Sequence, residues 1–222
     1  MKIISFIAEL AENNTKEWFD IHRDQYNLAR KELVDFTAKV LESLSHSNPW
    51  VSVLSPSKCL YRINRDIRFS KNKAPYKTGI GIFIAPGGRS SGNAGYYLHL
   101  EPNNNYIGGG VYAPQPAVLS AIRQEIYFNS DSFIKILNAP AFKDNFDQMM
   151  DDRLKRPPKG FPPDFKHIDL LKYKHFVISR PLNAEIISDN KMVEKLLPFF
   201  EAQRDFITFL NMAIANSEEI YP

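Results

Sequence analysis

Both ends of the chain carry apolar residues at helical spacing. The pattern predicts a short helix over residues 3–11 and a long helix over residues 16–44, capped by Asn14 or Thr15. Another amphipathic stretch predicts a closing helix over residues 190–215. Long helices are therefore expected to flank the middle of the chain.

The middle of the chain changes to the alternating pattern of β-strands. Short connections rich in Pro, Gly and Asn separate the apolar segments, which favours hairpins over crossover helices. The predicted strands are residues 58–69, 80–85, 96–101, 106–112 and, later, 176–180. The fourth and fifth strands are separated by helices predicted at residues 116–128, 131–137 and 141–154 and by a proline-rich loop at residues 155–165. These elements predict an α+β fold, with a central, mostly antiparallel sheet of about 4–6 strands packed with long N- and C-terminal helices.

Composition narrows the class of protein. The 222 residues, of which 44% are hydrophobic, are sufficient for one substantial core, and we predict a single domain over residues 1–222. The one cysteine, Cys59, excludes an intramolecular disulfide and favours a reducing compartment. No apolar run approaches the roughly 18 residues of a membrane helix, and the first run ends at Glu9. We therefore predict a cytoplasmic protein without a membrane partner.

The net charge of +3 hides a local concentration of positive charge. Residues 58–78 hold seven basic side chains and one acid, Asp66, so this window carries +6 and the remaining residues carry −3. Local charge, rather than the total, determines where an anion is attracted. A guanidinium group offers a planar fork of donors that suits a carboxylate or a phosphate. The window therefore predicts an anion site.

Side-chain alternation divides the first predicted strand into two faces. Its core face would hold Cys59, Tyr61, Ile63, Arg65, Ile67 and Phe69, and its polar face Leu60, Arg62, Asn64, Asp66, Arg68 and Ser70. The candidate ligand-binding residues are Arg62, Arg65, Asp66, Arg68, Lys73, Tyr76, Lys77 and Tyr97. A structural network, in which carboxylates neutralise the arginines, is the open alternative. On the core face, Arg65 would need a carboxylate or carbonyl partner.

Residues 95–101 carry the second candidate site. Alternation places Tyr97, His99 and Glu101 on one face, where His99 and Glu101 are candidates for an acid/base pair. Two ligands are too few for a metal centre, and no metal or nucleotide motif accompanies them, so neither a metal nor a cofactor is predicted. A structural set of hydrogen bonds is the alternative. If the two segments are neighbours, Arg62 and Arg68 could join these three side chains on one surface.

Two features of the glycines and aromatics remain open. The glycine triplet 108–110 predicts a bulge in the fourth strand, with a ligand-facing backbone as the alternative. Tyr61, Phe69 and Tyr76 interleave with the cations, as in some proteins that bind nucleic acid. Alternation, however, places Tyr61 and Phe69 on the core face, which argues against such a role.

The segment from Arg62 to Lys77, RINRDIRFSKNKAPYK, resembles the signature of a bacterial family, domain of unknown function 2461. That signature is Arg-x-x-Arg-Asp-x-Arg-Phe followed by Asp/Asn-Lys-x-x-Tyr, and Asn72 stands where many members carry Asp. The likeness continues at Asn13, Asn14, Trp18, Phe19, residues 95–102, residues 108–110, Pro114, Arg123, residues 159–161 and residues 179–182. The resemblance spans nearly the whole chain and implies a single module without an assigned activity, substrate, cofactor or catalytic residue.

Three functions are compatible with these residues. The first is binding of a phosphate-bearing ligand, a small molecule or a nucleic acid, by the Arg/Lys segment. The second is an enzyme for an anionic substrate, with His99 or Glu101 as acid/base and the arginines stabilising charge. The third is a structural or protein-interaction module whose arginines pair internally. The sequence predicts no particular oligomeric state.

Overall fold

The computed structural model describes residues 1–146 and 149–220. It has an α+β fold with a four-stranded antiparallel sheet, in the strand order β1-β2-β3-β4. The strands are β1 (Ile80–Ile84), β2 (Gly95–Leu100), β3 (Tyr106–Val111) and β4 (Phe176–Pro181). The α+β class and four of the five predicted strands are thus confirmed, and the strand number lies at the lower end of the expected range.

Eleven α-helices occur among the described residues. They are α1 (Lys2–Glu12), α2 (Lys16–Ile21), α3 (Arg23–Ser45), α4 (Pro56–Cys59), α5 (Pro116–Phe128), α6 (Ser130–Leu137), α7 (Pro140–Lys143), α8 (Ile168–Leu171), α9 (Ala184–Ser188), α10 (Met192–Ala202) and α11 (Arg204–Ile220). A 3-10 helix, Pro49–Val53, follows α3. Among these described helices, none is both long enough and apolar enough to cross a lipid bilayer.

The long helix predicted over residues 16–44 is interrupted at His22. Its first part, α2, is capped by Thr15, whose Oγ1 accepts a 3.2 Å hydrogen bond from the Trp18 N–H. The His22 ring stacks on Trp18 at 3.9 Å, and its Nδ1 lies 2.8 Å from the Trp18 carbonyl oxygen. The Trp18 carbonyl also accepts the His22 N–H at 3.1 Å, so the backbone and the ring of His22 share this oxygen where α2 ends.

The closing helix is also two helices, α10 and α11, separated at Gln203. This residue is fully buried, and its Nε2 donates a 2.9 Å hydrogen bond to the Phe199 carbonyl. Pro198 lies inside α10. A buried side-chain amide that bonds the preceding turn thus marks the change of helix, without the Gly or Pro that commonly marks one at the junction itself.

The helix predicted over residues 141–154 is reduced to α7. Residues 147–148 lie outside the described residues. Beyond them Met149 pairs with Ile178, and Arg153 with Tyr173, in isolated antiparallel bridges. Backbone pairing with the region of β4 therefore replaces the expected helix there.

The contacts of the chain cluster into two compact units. The first comprises residues 1–89, 97–107 and 181–198, where α1 packs against α3 and Ile7, Leu10 and Leu44 are completely buried. The second comprises residues 90–96, 108–180 and the chain from 199 onward, where α5 packs against α11. Its core is rich in phenylalanine: Phe133, Phe142, Phe146, Phe176, Phe200, Phe206 and Phe209 are all buried. The single-domain assignment stays a prediction.

An asparagine amide acts like a paired strand residue in each unit. Asn14 Nδ2 donates to the Tyr76 carbonyl at 3.1 Å, and Asn14 Oδ1 accepts the Tyr76 N–H at 3.0 Å. Asn211 does the same for Ala94, at 3.0 and 2.9 Å. Each amide therefore satisfies both backbone groups of one distant residue.

Candidate functional site

The basic segment folds into two antiparallel legs, residues 60–82, which we call the basic hairpin. The prediction of a strand over residues 58–69 is wrong. The first two of these residues belong to α4, and among the others only isolated bridges are formed. These bridges join Leu60 to Ile82 and Asn64 to Tyr76. The hairpin therefore has paired legs but no continuous ladder.

A mismatch in pairing explains the interrupted ladder. The Tyr61 N–H donates to the Gly81 carbonyl at 3.1 Å, and the Lys77 N–H donates to the Ile63 carbonyl at 2.8 Å. Between these two bonds one leg advances from residue 61 to 63 and the other from 81 to 77, so the second leg carries extra residues. Extra residues on one leg interrupt a ladder in the way a β-bulge does.

The base of the hairpin is buried, and its tip, residues 66–74, is open. Ile63 is 2% exposed, and Tyr76 is 6% exposed with its ring stacked on Phe19 at 4.2 Å. Phe69, at the tip, is 95% exposed. The predicted core position of Phe69 is therefore wrong, because alternation holds only in a regular strand. Tyr76, a predicted ligand residue, is part of the core.

Three cations of the hairpin stabilise its own loop. The Arg68 guanidinium donates two hydrogen bonds, of 2.7 and 3.0 Å, to the Asp66 carboxylate. These bonds lower the pKa of Asp66 and raise the pKa of Arg68. Arg65 Nη1 donates to the Ala74 carbonyl at 3.0 Å, so Arg65 has the carbonyl partner that its position required. Lys73 Nζ donates to the Ile67 carbonyl at 3.1 Å.

Among the described residues, Arg62 and Lys77 lack such partners. The Lys77 ammonium lies 5.4 Å from the centroid of the Tyr61 ring. Burial lowers the pKa of Lys77, and the positive charge of Arg62 lowers it further. Arg62 is exposed and, among the described residues, has no hydrogen bond or ion pair. These two side chains therefore form a cationic pair that makes no direct ion pair with a carboxylate in the described part of the chain, although the charge of Arg62 also lowers the pKa of Asp66.

Tyr97, His99 and Glu101 share one face of β2 and its end, as alternation predicts. Tyr97 Oη lies 3.0 Å from His99 Nδ1, and His99 Nε2 lies 3.2 Å from Glu101 Oε2. The His99 ring also stacks on Tyr106 of β3, with centroids 4.6 Å apart. We call the three residues the Tyr97–Glu101 chain. Because both ring nitrogens of His99 are engaged, His99 connects the other two and offers no free nitrogen.

Two glycines on the neighbouring leg make room for this chain. A Cβ atom on Gly79 would lie 2.6 Å from His99 Nε2, and one on Gly81 would lie 2.7 Å from Tyr97 Oη. Both distances are far below van der Waals contact, so a side chain at either position would displace the rings. Only glycine therefore suits these two positions while the chain keeps its present geometry.

The electrostatics of the chain favour one arrangement of protons. Burial would raise the pKa of Glu101, but hydrogen bonds from Asn104, Thr78 and His99 outweigh burial and lower it. Burial, then the neighbouring Tyr106, raises the pKa of Tyr97. An ionised Glu101 accepts the Nε2–H of His99, which leaves Nδ1 to accept the Tyr97 hydroxyl proton. Tyr97 is therefore the hydrogen-bond donor to His99 in this arrangement, and its hydroxyl has a further hydrogen-bond partner in Tyr106.

Side chains other than the expected Arg62 and Arg68 lie beside the Tyr97–Glu101 chain. The Tyr61 ring meets Tyr97 edge-on at 6.5 Å, which places Tyr61 and its partner Lys77 beside the Tyr97–Glu101 chain. Within the described residues, no hydrogen bond or ion pair joins Arg62 or Arg68 to the chain. Tyr61, Thr78 and Tyr106 are the contributors that sequence reasoning missed, because their role depends on which segments are neighbours.

Two further observations concern Cys59 and groups of possible metal ligands. Burial, partly opposed by Arg89, raises the pKa of the Cys59 thiol to about 11, so this side chain is a thiol at neutral pH. In the described part of the chain, no group of three or more His, Cys, Asp or Glu side chains could hold a metal ion.

Comparison with known proteins places the chain in a family. The family model described as conserved hypothetical protein (DUF2461) matches residues 2–209. The chain belongs to DUF2461. No curated protein and no solved structure matches it significantly. The matched residues of this DUF2461 protein include the basic hairpin and the Tyr97–Glu101 chain, but the family description assigns neither a role.

The glycine triplet 108–110 of this DUF2461 protein lies where two backbones approach closely. A Cβ on Gly108 would collide with the Ile178 carbonyl oxygen, and one on Gly110 with that of Phe176. Gly110 also has φ 114°, in the region that favours glycine. The triplet therefore admits the backbone of β4.

Proposed function

We propose that this protein binds a phosphate-bearing anion at the base of the basic hairpin, through Arg62 and Lys77. One observation carries the proposal. Of the seven basic side chains of residues 58–78, only Arg68 meets a carboxylate among the described residues. An internal ion-pair network requires most of these cations to be neutralised, and this pattern does not favour it.

The electrostatics of Lys77 support the same position. A half-buried ammonium next to a guanidinium is disfavoured by burial and by like charge, and a bound anion relieves the second effect. Phosphate oxygens accept hydrogen bonds from both kinds of cation. Binding of a phosphate should therefore raise the pKa of Lys77 toward its usual value.

Calorimetric titration with pyrophosphate tests the proposal. We expect the double variant Arg62→Ala, Lys77→Ala to lose at least about tenfold in affinity, or roughly 1.4 kcal/mol. The matched control is Lys31→Ala with Lys39→Ala, which removes the same charge from two exposed positions of α3. An equal loss in both variants would mean that only net charge matters, and unchanged affinity in the first would contradict the proposal.

The Tyr97–Glu101 chain favours a second candidate, an enzyme acting on an anionic substrate. In this version the acid is the Tyr97 hydroxyl, which gives its own proton to the substrate and regains one from water. His99 and Glu101 hold the hydroxyl in position, rather than His99 acting directly. Hydrolysis of a phosphate monoester such as p-nitrophenyl phosphate provides the assay. Activity should fall about 100-fold or more in Tyr97→Phe. A variant that keeps full activity would remove this candidate.

A further inference from the structure

We propose that the tip of the basic hairpin binds single-stranded nucleic acid, with Phe69 as the platform on which one base stacks. The inference rests on the anion-binding function proposed above. It names single-stranded nucleic acid as the phosphate-bearing ligand and adds the tip of the hairpin to the site at Arg62 and Lys77.

Phe69 is placed where the fold gains nothing from it. Its side chain is 95% exposed, whereas Phe6 and Phe19 in the same unit are each 4% exposed. Burial of a phenylalanine ring is among the larger hydrophobic contributions to the free energy of folding, and the exposed ring of Phe69 does not make that contribution. The exposed ring therefore offers both a π-face and an edge to a ligand.

The neighbours of Phe69 are cations held in position. The Arg68 guanidinium carbon lies 5.8 Å from the centroid of the Phe69 ring, and Asp66 fixes that guanidinium with two hydrogen bonds. Lys73 is tied to the Ile67 carbonyl, and Lys71 is exposed. Aromatic rings among cations are the arrangement with which proteins hold single strands, because bases stack on the rings while phosphates meet the charges.

The size of the apolar surface favours a single strand over other anionic partners. In a duplex each base is covered by its neighbours, so a ring at a loop tip reaches an open base face only in an unpaired strand. An anionic membrane would also attract the cations. A lone apolar anchor gives only marginal membrane binding, however, and Ile67, the next apolar side chain of the tip, is half-buried.

Fluorescence anisotropy with a fluorescein-labelled dT15 oligonucleotide tests the inference on the full chain. Phe69→Ala and Phe69→Leu should each weaken binding at least about fivefold, whereas Phe69→Tyr should retain it. The Leu variant separates stacking from simple apolar contact. Because Phe69 is exposed, none of these changes should alter the fold, which circular dichroism checks.

Salt dependence separates the ring from the charges. The Lys71→Ala, Lys73→Ala variant should reduce the slope of log affinity against log salt by about 1.4, if each lysine meets one phosphate. Phe69→Ala should leave that slope unchanged. The assignment would be overturned if Phe69→Ala reduced the slope of log affinity against log salt and the Lys71→Ala, Lys73→Ala variant left that slope unchanged.

The remaining outcomes distinguish this inference from the function on which it rests. Binding of pyrophosphate without binding of dT15 overturns the nucleic-acid inference and leaves the anion site standing. Absence of both contradicts both proposals. Equal binding of dT15 and of an abasic oligonucleotide excludes stacking, and binding only to phosphatidylserine vesicles assigns the tip to a membrane instead.

Discussion

Each unit contains a histidine between a carboxylate and a tyrosine ring, and the two sites differ at one nitrogen. His99 Nε2 and His175 Nε2 each lie 3.2 Å from a carboxylate oxygen, of Glu101 and Asp152 respectively. The tyrosine rings stack on them at 4.6 and 4.5 Å. His99 Nδ1 faces the Tyr97 hydroxyl at 3.0 Å, whereas His175 Nδ1 accepts the backbone N–H of Ala113 at 2.9 Å.

That difference separates a site suited to moving a proton from one suited to holding a turn. A hydroxyl can donate or accept, so His99 can keep its partner when Nδ1 gains a proton. A backbone N–H can only donate, so protonation of His175 Nδ1 would remove its bond to Ala113, a residue with φ 47°. Similar components therefore support different chemistry because one partner can rotate and the other cannot.

Substitution of Gly79 should have the largest effect on the comparison, because a Cβ there would meet the His99 ring, whereas none of the glycines described in this way faces the His175 ring. In Gly79→Ala the new Cβ would lie 2.6 Å from His99 Nε2, and we expect a loss of about 1–3 kcal/mol in the free energy of unfolding by urea. In a His99→Ala background the same change should cost much less. Equal losses in the two backgrounds would show that the ring is not what the Cβ meets.

Removing the tyrosine hydroxyl near His99 should give the next largest effect on stability. Tyr97→Phe deletes the partner of His99 Nδ1 and should lower the free energy of unfolding by about 1 kcal/mol. Tyr112→Phe is the matched control, because Tyr112 is 68% exposed and its ring, not its hydroxyl, contacts His175. Tyr112→Phe should leave stability unchanged, and a similar loss in both variants would contradict the distinction.

Acid should reveal how Glu101 contributes. Because its folded pKa is lowered, its contribution to stability is present above its ordinary pKa and is lost as pH falls through the folded pKa. Glu101→Gln cannot titrate, so the stability difference between wild type and this variant should shrink on acidification. Urea unfolding at a series of pH values between 3 and 7 measures this, and a difference independent of pH would refute it.

A change in salt concentration should give the smallest effect, and it should change the pKa of Asp152 more than the pKa of Glu101. The pKa of Asp152 is lowered first by its hydrogen bond with Lys174, an exposed pair, whereas neutral donors contribute to the lowered pKa of Glu101. Raising NaCl from 50 mM to 1 M should therefore raise the pKa of Asp152 more than that of Glu101. Carboxyl carbon NMR titrations of both residues would show this, and the reverse order would be evidence against it.

The elements that sequence reasoning located are those with local signals. Strands β1 to β4 are apolar segments, and turns at Pro86 and Pro102 bound the first two hairpins, so their positions followed from the chain itself. The breaks at His22 and Gln203 carry no Gly or Pro. They depend on side-chain bonds to carbonyls, which spacing does not reveal.

The candidate site divides in the same way. Alternation placed Tyr97, His99 and Glu101 on one face because β2 is regular. It misplaced Phe69 because the basic hairpin is irregular, owing to pairing between distant legs. The contributions of Gly79 and Tyr106 depend on which strands are neighbours. A single sequence leaves that long-range information open.

The two asparagine amides that pair with a backbone residue bear on the order of folding. Asn14 and Tyr76 are 62 positions apart, and Asn211 and Ala94 are 117 apart, so each pair closes a long loop. The second loop is nearly twice the length of the first, yet its closure costs only about 0.6 kcal/mol more. Contacts at such separations slow folding. The basic hairpin should therefore reach its final position only after the N-terminal helices have formed, and a peptide of residues 58–82 would lack the amide that positions Tyr76.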